Sequence, residues 1–283
     1  MLPTDHYLDL PTGIRTHYLR WGDDTLPPIV LNHATGFLAR LWQPVAERLA
    51  ERYTVYAPDI RGHGDTDKPL AEGDNYHWLR LVEDLRALFD LLGFSAVPFV
   101  GHSAGAATAL YLAAQHPKYF SHLVAIEPIV MPGGIQPDEE RRAQMSEGAR
   151  KRRAVFDSID EMLEQYRARS LFKRWSDDLL RLYAEHGTFV REDGRVQLKC
   201  PGEIEGAIFA NSASLDVWSI LPDIHAPVLV LRGEHTEPFL SMVAESVATR
   251  LPSARLETIP EAGHLAPMER PDIIADLVLD FAA

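Results

Sequence analysis

The stretch "VPFVGHSAGAATAL", Val97 to Leu110, decides the fold. It joins an apolar run, typical of a buried strand, to a small-residue helix through the pentapeptide G-x-S-x-G. Ser103 stands at the turn between the two elements, where the pattern predicts a strained backbone and a hydroxyl lifted clear of a sheet. A Cβ at Gly101 or Gly105 would clash in so tight a turn. The stretch therefore predicts a serine nucleophile at a strand end, beside a helix N-terminus that favours negative charge.

Outward from this turn, predicted strands and helices alternate. One long amphipathic helix ends at Gly93, and the last helix opens on Pro271. Strands that alternate with helices indicate an α/β fold, a mostly parallel, doubly wound sheet covered on both faces. The predicted parallel strands are short apolar runs: "PPIVLNHA", "TVYAPDI", "AVPFVGHS", "HLVAIEP", "APVLVLRGE" and "ARLETIP".

The alternation is interrupted over residues 131–214. This segment opens with the turn residues and charges of "MPGGIQPDEERRAQ" and continues with charged amphipathic stretches, "SIDEMLEQYRARSLF" and "DDLLRLYAEHG". It predicts a helical cap inserted over the carboxyl edge of the sheet. Residues 1–130 and 215–283 then form the core domain.

Composition excludes some classes of function. The chain has 283 residues, 46% of them hydrophobic, and a net charge of -13, which argues against nucleic-acid binding. We expect no signal peptide, membrane segment or metal site, and the single cysteine fits a cytoplasmic protein. The expected partner is a small molecule, and a monomer and a homodimer are both open.

A serine hydroxyl needs a base, and His264 is the candidate among 12 histidines. It stands in "EAGHLAPMERP", a loop between the last predicted strand and the last helix, where catalytic residues are common. We expect Gly263 to give the backbone freedom to aim the imidazole. The alternative is a histidine that only caps the helix.

Four motifs together give the chain its resemblance: "NHATGF", "APDIRGHGDTDKP", "GHSAG" and "EAGHLAPMERP". Over nearly its whole length the chain resembles the α/β-hydrolase-fold serine hydrolases, of the esterase and lactonase kind. The resemblance implies a catalytic triad in the order nucleophile, acid, histidine, and no cofactor. Ser103 and His264 match the first and last positions.

The acid of the triad departs from the usual pattern. In most members of the resembled family it is an Asp just after the strand "APVLVLRGE", but Thr236 stands there. Glu127, at the end of the strand that follows the nucleophile helix, is the main candidate, because some relatives place the acid there. Glu237, one residue beyond Thr236, is the alternative. Glu127 could instead brace the start of the cap.

The resemblance also implies an oxyanion hole made of two backbone N–H groups. Ala104, after the nucleophile, and Thr35, in "NHATGF", hold the matching positions. His33 is expected to support this loop rather than to react, and "DIRGHGDTDKP" is expected to be a structural loop pinned by Asp59 and Arg61.

These residues predict a serine hydrolase that cleaves a carboxylic ester or lactone through an acyl-enzyme. One alternative is a C–C bond hydrolase of the ring-cleavage-product type, and a less favoured one is a non-catalytic ligand receptor on the same fold. Trp175 and Trp218 are candidate pocket residues. With Phe156, Tyr166, Phe172 and Phe209 they suggest an apolar substrate, although each could instead be part of the hydrophobic core.

Overall fold

The computed structural model describes residues 2–135 and 138–282. Its strands form one large sheet and one small one. In chain order they are β1 (Thr4–Asp9), β2 (Arg15–Trp21), β3 (Pro28–Asn32), β4 (Thr54–Pro58), β5 (Val97–His102), β6 (Phe120–Ile126), β7 (Val155–Phe156), β8 (Thr188–Val190), β9 (Val196–Leu198), β10 (Val228–Gly233) and β11 (Ala254–Ile259).

Helices cover the large sheet and fill the segment between β6 and β10. None of the helices in the described ranges is long and apolar enough to cross a membrane. In chain order they are α1 (Gln43–Leu49), α2 (Trp78–Leu92), α3 (Ala104–Gln115), α4 (Glu139–Arg150), α5 (Ile159–Arg167), α6 (Asp177–His186), α7 (Gly202–Ala210), α8 (Pro238–Arg250), α9 (Ala266–Glu269) and α10 (Pro271–Phe281).

The large sheet has eight strands in the order β1-β2-β4-β3-β5-β6-β10-β11. Strand β2 runs antiparallel to both β1 and β4, and the pairs from β4 to β11 are all parallel. The predicted α/β fold with a mostly parallel sheet is therefore confirmed. Four adjacent strands, β3, β5, β6 and β10, end at the same edge of the sheet, so the loops that follow them meet there.

Burial on both faces explains why the parallel strands are continuous apolar runs. Along β3, Ile29 and Leu31 face the core under α1 and α10, whereas Val30 faces the core under α2, α3 and α8. All three side chains are completely buried. Gly93 ends α2 in the left-handed conformation, with φ of 67°, as the sequence predicted.

The segment 131–214 contains the predicted helices but is not purely helical. Besides α4 to α7 it holds a three-stranded antiparallel sheet in the order β7-β9-β8. These strands have only two or three residues, too few to show an alternating pattern in the sequence. Part of the stretch "MPGGIQPDEERRAQ", residues 136 and 137, lies outside the described residues.

The aromatic side chains of this segment form a core of their own. Phe156, Tyr166, Phe172 and Trp175 are buried together, so they give no reason to expect an apolar substrate. The same core includes residues from two loops at the carboxyl edge of the large sheet, Leu38, Leu41, Leu265 and Met268. The segment therefore packs over the edge at which the loops after β3 and β11 meet.

Candidate active site

Ser103 links β5 to α3 with a strained backbone. Its φ of 54° and ψ of -113° are uncommon for a residue with a side chain, and this is the conformation that the G-x-S-x-G pattern predicts. Its amide donates to the carbonyl of Ile126 at 2.9 Å, which fixes the turn to the end of β6. A Cβ on Gly101 would lie 2.6 Å from the backbone of Ala106, so the close strand-to-helix contact requires glycine.

His264 lies between Ser103 and a carboxylate. Its Nε2 is 3.2 Å from Ser103 Oγ, and its Nδ1 is 3.1 Å from Glu127 Oε2. Because an ionised carboxylate only accepts, Nδ1 carries the proton and Nε2 is left to accept from the hydroxyl. The three residues come from loops after β5, β6 and β11, and the structure brings them into one hydrogen-bonded line.

Glu127 is held by more than the histidine. Its residue surface is 1% exposed, and its φ is 49°, in the left-handed region, directly after β6. Oε1 accepts from the amide of Gly233 at 2.7 Å, and Oε2 accepts from the hydroxyl of Thr236 at 2.8 Å as well as from His264. This buried carboxylate therefore has three donors, and burial without them would be costly.

The other acidic candidate is directed elsewhere. The side chain of Glu237 is 60% exposed and forms an ion pair with Arg141 of α4. Thr236 has a position that the sequence did not foresee, because its hydroxyl binds the carboxylate of Glu127. The sequence contained a signal for this contact. Thr236 stands where the resemblance implies the acid, so an acid supplied by another loop has to reach the same place.

The backbone of His264 is fixed by a second histidine. His102, the variable residue before Ser103, donates from Nε2 to the carbonyl of His264 at 2.8 Å. Burial, together with the neighbouring His264, lowers the pKa of His102 to about 3, so the ring stays neutral. The expected role of Gly263 was wrong. Its φ is not in the left-handed region, and an added Cβ would make only ordinary contacts, at 3.6 Å or more.

The loop after β3 is organised by His33. Its Nε2 accepts from the amide of Ile60 at 2.9 Å, so Nδ1 carries the proton and donates to the carbonyl of Ala34 at 2.8 Å. The amide of Phe37 donates to the same carbonyl at 3.2 Å. Because a trans peptide unit is planar, anchoring the Ala34 carbonyl directs the N–H of Thr35 to the opposite side.

The start of α3 lies directly against this loop. A Cβ on Gly105 would fall 2.6 Å from the carbonyl oxygens of both Asn32 and His33. Ala104 is the first residue of α3, where the amide has no preceding helical carbonyl to bind. The residues predicted to supply the two oxyanion donors, Thr35 and Ala104, thus belong to backbones in close contact.

The loop "DIRGHGDTDKP" has the structural role predicted for it. Asp59 accepts from the amides of Ala39 and Asp65 and from Nδ1 of His17, at 2.7 to 3.0 Å. Burial opposes the charge on Asp59, but the hydrogen bond and electrostatic attraction of His17, the nearby His33 and the amide of Ala39 keep its pKa below the usual range. Arg61 forms a buried ion pair with Asp84 at 2.6 Å.

The two candidate pocket tryptophans differ in their surroundings. Trp175 is 3% exposed and packs against Phe37, two residues after Thr35, with 5.7 Å between ring centroids. Trp218 is partly buried under the guanidinium of Arg250, 4.6 Å from its ring centroid. A pocket role for either side chain stays a prediction.

Comparison with known proteins agrees with the fold. A family model described as alpha/beta hydrolase fold matches residues 27–271. A provisionally named 2-succinyl-6-hydroxy-2,4-cyclohexadiene-1-carboxylate synthase of Bacillus subtilis (strain 168) is 28% identical, with 95% of each chain covered. A 2-(acetamidomethylene)succinate hydrolase of Mesorhizobium japonicum is 26% identical over 99% of this chain and 97% of the relative.

Solved structures share the fold. The crystal structure of an E-2-(acetamidomethylene)succinate hydrolase superposes with a TM-score of 0.83, at 23% identity, over 99% of both chains. The chain belongs to the alpha/beta hydrolase fold family.

Proposed function

We propose that this alpha/beta hydrolase is a serine hydrolase that cleaves a carboxylic ester or lactone through an acyl-enzyme. The observation that carries the proposal is the hydrogen-bonded line from Ser103 Oγ through His264 to Glu127 Oε2, at 3.2 and 3.1 Å. In this proposal Ser103 is the nucleophile, His264 the general base and Glu127 the acid.

The reaction proceeds by proton transfers along that line. As Ser103 Oγ attacks the carbonyl carbon, its proton passes to Nε2 of His264, and Glu127 stabilises the imidazolium. The imidazolium then returns the proton to the departing alkoxide. Water, deprotonated by the same nitrogen, attacks the acyl-enzyme and releases the acid and Ser103.

The N–H groups of Thr35 and Ala104 stabilise the tetrahedral oxyanion. The close contact of their backbones at Gly105 and the anchored carbonyl of Ala34 support this role. Such preorganised donors stabilise developing charge because they need no rearrangement during the reaction, and one donor contributes about 10²- to 10³-fold to kcat.

The relatives described above do not select the bond that is broken. One is named a synthase and the other a hydrolase, so similar chains differ in the reaction for which they are named. A C–C bond hydrolase that uses the same three residues is the second candidate. A receptor is disfavoured, because a binding protein has no use for Ser103 in a strained conformation 3.2 Å from a histidine.

Covalent labelling tests the proposal. A fluorophosphonate should label the wild-type protein on Ser103 and should not label Ser103→Ala. A screen of alkyl esters, lactones and vinylogous C–C substrates then assigns the bond. A folded protein that resists the label and turns over none of these compounds would refute the proposed function.

A further inference from the structure

A hydrogen bond joins the segment 131–214 to the loop after β3. Tyr183 lies on α6, and its hydroxyl donates to the carbonyl of Gly36, the residue after Thr35, at 3.1 Å. Tyr183 is 3% exposed, and burial raises the pKa of its hydroxyl, so the group keeps its proton for this bond. A side chain of the segment 131–214 is therefore in direct contact with the backbone that carries the predicted oxyanion donor.

The carbonyl of Gly36 belongs to a hydrogen-bonded chain that ends at Thr35. It shares a planar peptide group with the amide of Phe37, and that amide donates to the carbonyl of Ala34 at 3.2 Å. The carbonyl of Ala34 in turn shares a peptide group with the N–H of Thr35. Successive hydrogen bonds polarise one another, so donation by Tyr183 strengthens the later bonds of the chain and makes the N–H of Thr35 a better donor.

The backbone around Gly36 depends on contacts of this kind. Gly36 has a φ of 84°, in the left-handed region, and glycine has more rotational freedom than any other residue. Its amide donates to Nε2 of His63 at 2.9 Å. His63 therefore holds the peptide group before Gly36, and Tyr183 holds the peptide group after it.

The ring of Tyr183 has contacts separate from those of its hydroxyl. The ring packs against Phe37 and Tyr166, with 5.7 and 5.9 Å between centroids, in the aromatic core of the segment 131–214. Tyr166 is buried as well, with 1% exposed, but its hydroxyl has no hydrogen-bond partner among the described residues. Two tyrosines of one core thus differ in whether the hydroxyl reaches the loop after β3.

We propose that Tyr183 is a positioning residue for the oxyanion donor Thr35, so that the segment 131–214 takes part in catalysis. The inference rests on the proposed function and deepens it, because it makes this segment necessary for a complete oxyanion hole. Without the hydroxyl, the peptide group after Gly36 loses its donor and can rotate. A small cavity of ≈ 10 Å³, lined by Gly36, Phe37 and Tyr183, provides space for that movement. The N–H of Thr35 is then less well aimed and less polarised, which raises the barrier of the reaction without weakening the binding of the ester.

Removal of the hydroxyl tests the inference. Tyr183→Phe keeps the ring, and for p-nitrophenyl acetate we expect kcat to fall about tenfold, the effect of one hydrogen bond, with KM little changed. Phenylboronic acid provides a second measurement. Ser103 Oγ adds to its boron as the hydroxyl proton passes to His264, and an oxygen of the negatively charged, tetrahedral adduct lies where the oxyanion would. The inhibition constant should therefore rise by the factor by which kcat falls.

Tyr166→Phe is the matched control. It removes a hydroxyl from the same core but not one that contacts the loop after β3, so kcat and the inhibition constant should keep their wild-type values. The dependence of kcat/KM on pH separates the loop from the triad. Its acidic limb reports the protonation of His264 and should be the same in the wild type and both variants. A shift of this limb in Tyr183→Phe would place the effect at the triad and contradict the inference.

The outcomes distinguish failure of the inference from failure of the proposed function. A folded Tyr183→Phe with wild-type kcat and inhibition constant would overturn the role of Tyr183 and leave the proposed function intact. Equal losses in Tyr166→Phe would also overturn it, because they would come from the shared aromatic core. If the wild type does not hydrolyse p-nitrophenyl acetate, the rate of fluorophosphonate labelling replaces kcat, since the phosphoryl oxygen uses the same donors. A wild type that is neither labelled nor active would refute the proposed function, and the inference with it.

Discussion

The hydroxyl of Thr236 donates to Oε2 of Glu127 at 2.8 Å. Thr236 occupies the position at which the sequence resemblance leads one to expect the acid, yet the carboxylate that reaches His264 comes from the end of β6. The end of β10 and the loop after it therefore still contribute to the site, through Thr236 and through the amide of Gly233, which donates to the other oxygen at 2.7 Å. The two loops share one carboxylate.

Replacement of the buried carboxylate tests its role directly. Glu127→Gln should lower kcat about 10⁴-fold, because a neutral amide neither stabilises the imidazolium nor fixes the tautomer of His264. The rate of fluorophosphonate labelling and ester hydrolysis by the purified variant provide the measurement. Glu237→Gln is the matched control and should retain nearly full activity, since Glu237 is exposed and paired with Arg141. The opposite pattern would assign the acid to Glu237.

Removal of the Thr236 hydroxyl should have a smaller effect. Thr236→Val keeps the shape but removes one of the donors to Glu127, and we expect kcat to fall about tenfold with KM little changed. Thr236→Ser, which restores the hydroxyl, should recover most of the rate. A variant pair with equal kcat values would show that Glu127 is positioned without this hydroxyl.

The contact between α3 and the loop after β3 predicts a steric effect. Gly105→Ala places a Cβ 2.6 Å from two carbonyl oxygens, so the loop with Thr35 must move. We expect a 10- to 100-fold fall in kcat, roughly the effect of a 1 Å misplacement, and a loss of about 1–3 kcal/mol in the free energy of unfolding. Urea denaturation and ester kinetics measure the two effects.

The control for that substitution is a glycine in open space. Gly148 lies in α4, and an added Cβ would have nothing within 4 Å. Gly148→Ala should therefore leave kcat unchanged and raise the free energy of unfolding by about 0.5–1 kcal/mol, because alanine favours the helix. If both variants lost activity alike, the explanation by steric contact at Gly105 would be wrong.

Buried neutral histidines predict acid sensitivity. Burial lowers the pKa of His33, and burial with the neighbouring His33 lowers that of His63 to about 3, as for His102. The unfolded chain takes up protons near pH 6.5, whereas the folded chain does not. Stability is therefore complete above pH 6.5 and falls with decreasing pH, by up to about 1.4 kcal/mol per histidine per pH unit.

Urea unfolding between pH 7 and pH 5 measures this effect. Burial lowers the pKa of His17, but its hydrogen bonds to Asp59 and Asp5 raise the pKa above the usual value. Protonated His17 therefore contributes its full stabilisation below pH 6.5 and loses it only as the pH rises above 6.5. His63→Gln keeps an acceptor for the amide of Gly36, which His63 binds at 2.9 Å. It should make the dependence on pH less steep, and an unchanged slope would exclude His63 as a source.

The sequence narrows the acid of the triad to two residues, Glu127 and Glu237, but it does not choose between them. Glu127 and Glu237 both follow predicted strands, and sequence spacing does not tell which carboxylate is buried. Three donors surround Glu127, and they come from the last residue of β10, the loop after it and the loop after β11. These contacts join residues more than a hundred positions apart, so no local pattern reveals them.

The interpretation of the aromatic residues shows a second limit of sequence patterns. Phe156, Tyr166, Phe172 and Trp175 were candidates for an apolar pocket, but they pack on one another as a core. The same residue types serve both purposes, and only their burial separates the two. The buried ion pair of Arg152 and Glu205, 2.7 Å apart, gave no signal at all in the sequence, because charged residues in a charged segment are usually exposed.

The sequence by itself determined the fold class, the strained serine turn and the positions of Ser103 and His264. These depend on local patterns: apolar runs, glycines at a tight turn and a histidine in one loop. The tertiary structure decided which carboxylate reaches His264 and which charged residues, such as Arg152 and Glu205, are buried. Both depend on where the loops at the carboxyl edge of β3, β5, β6 and β10 converge, which is a property of the packed sheet and not of any single segment.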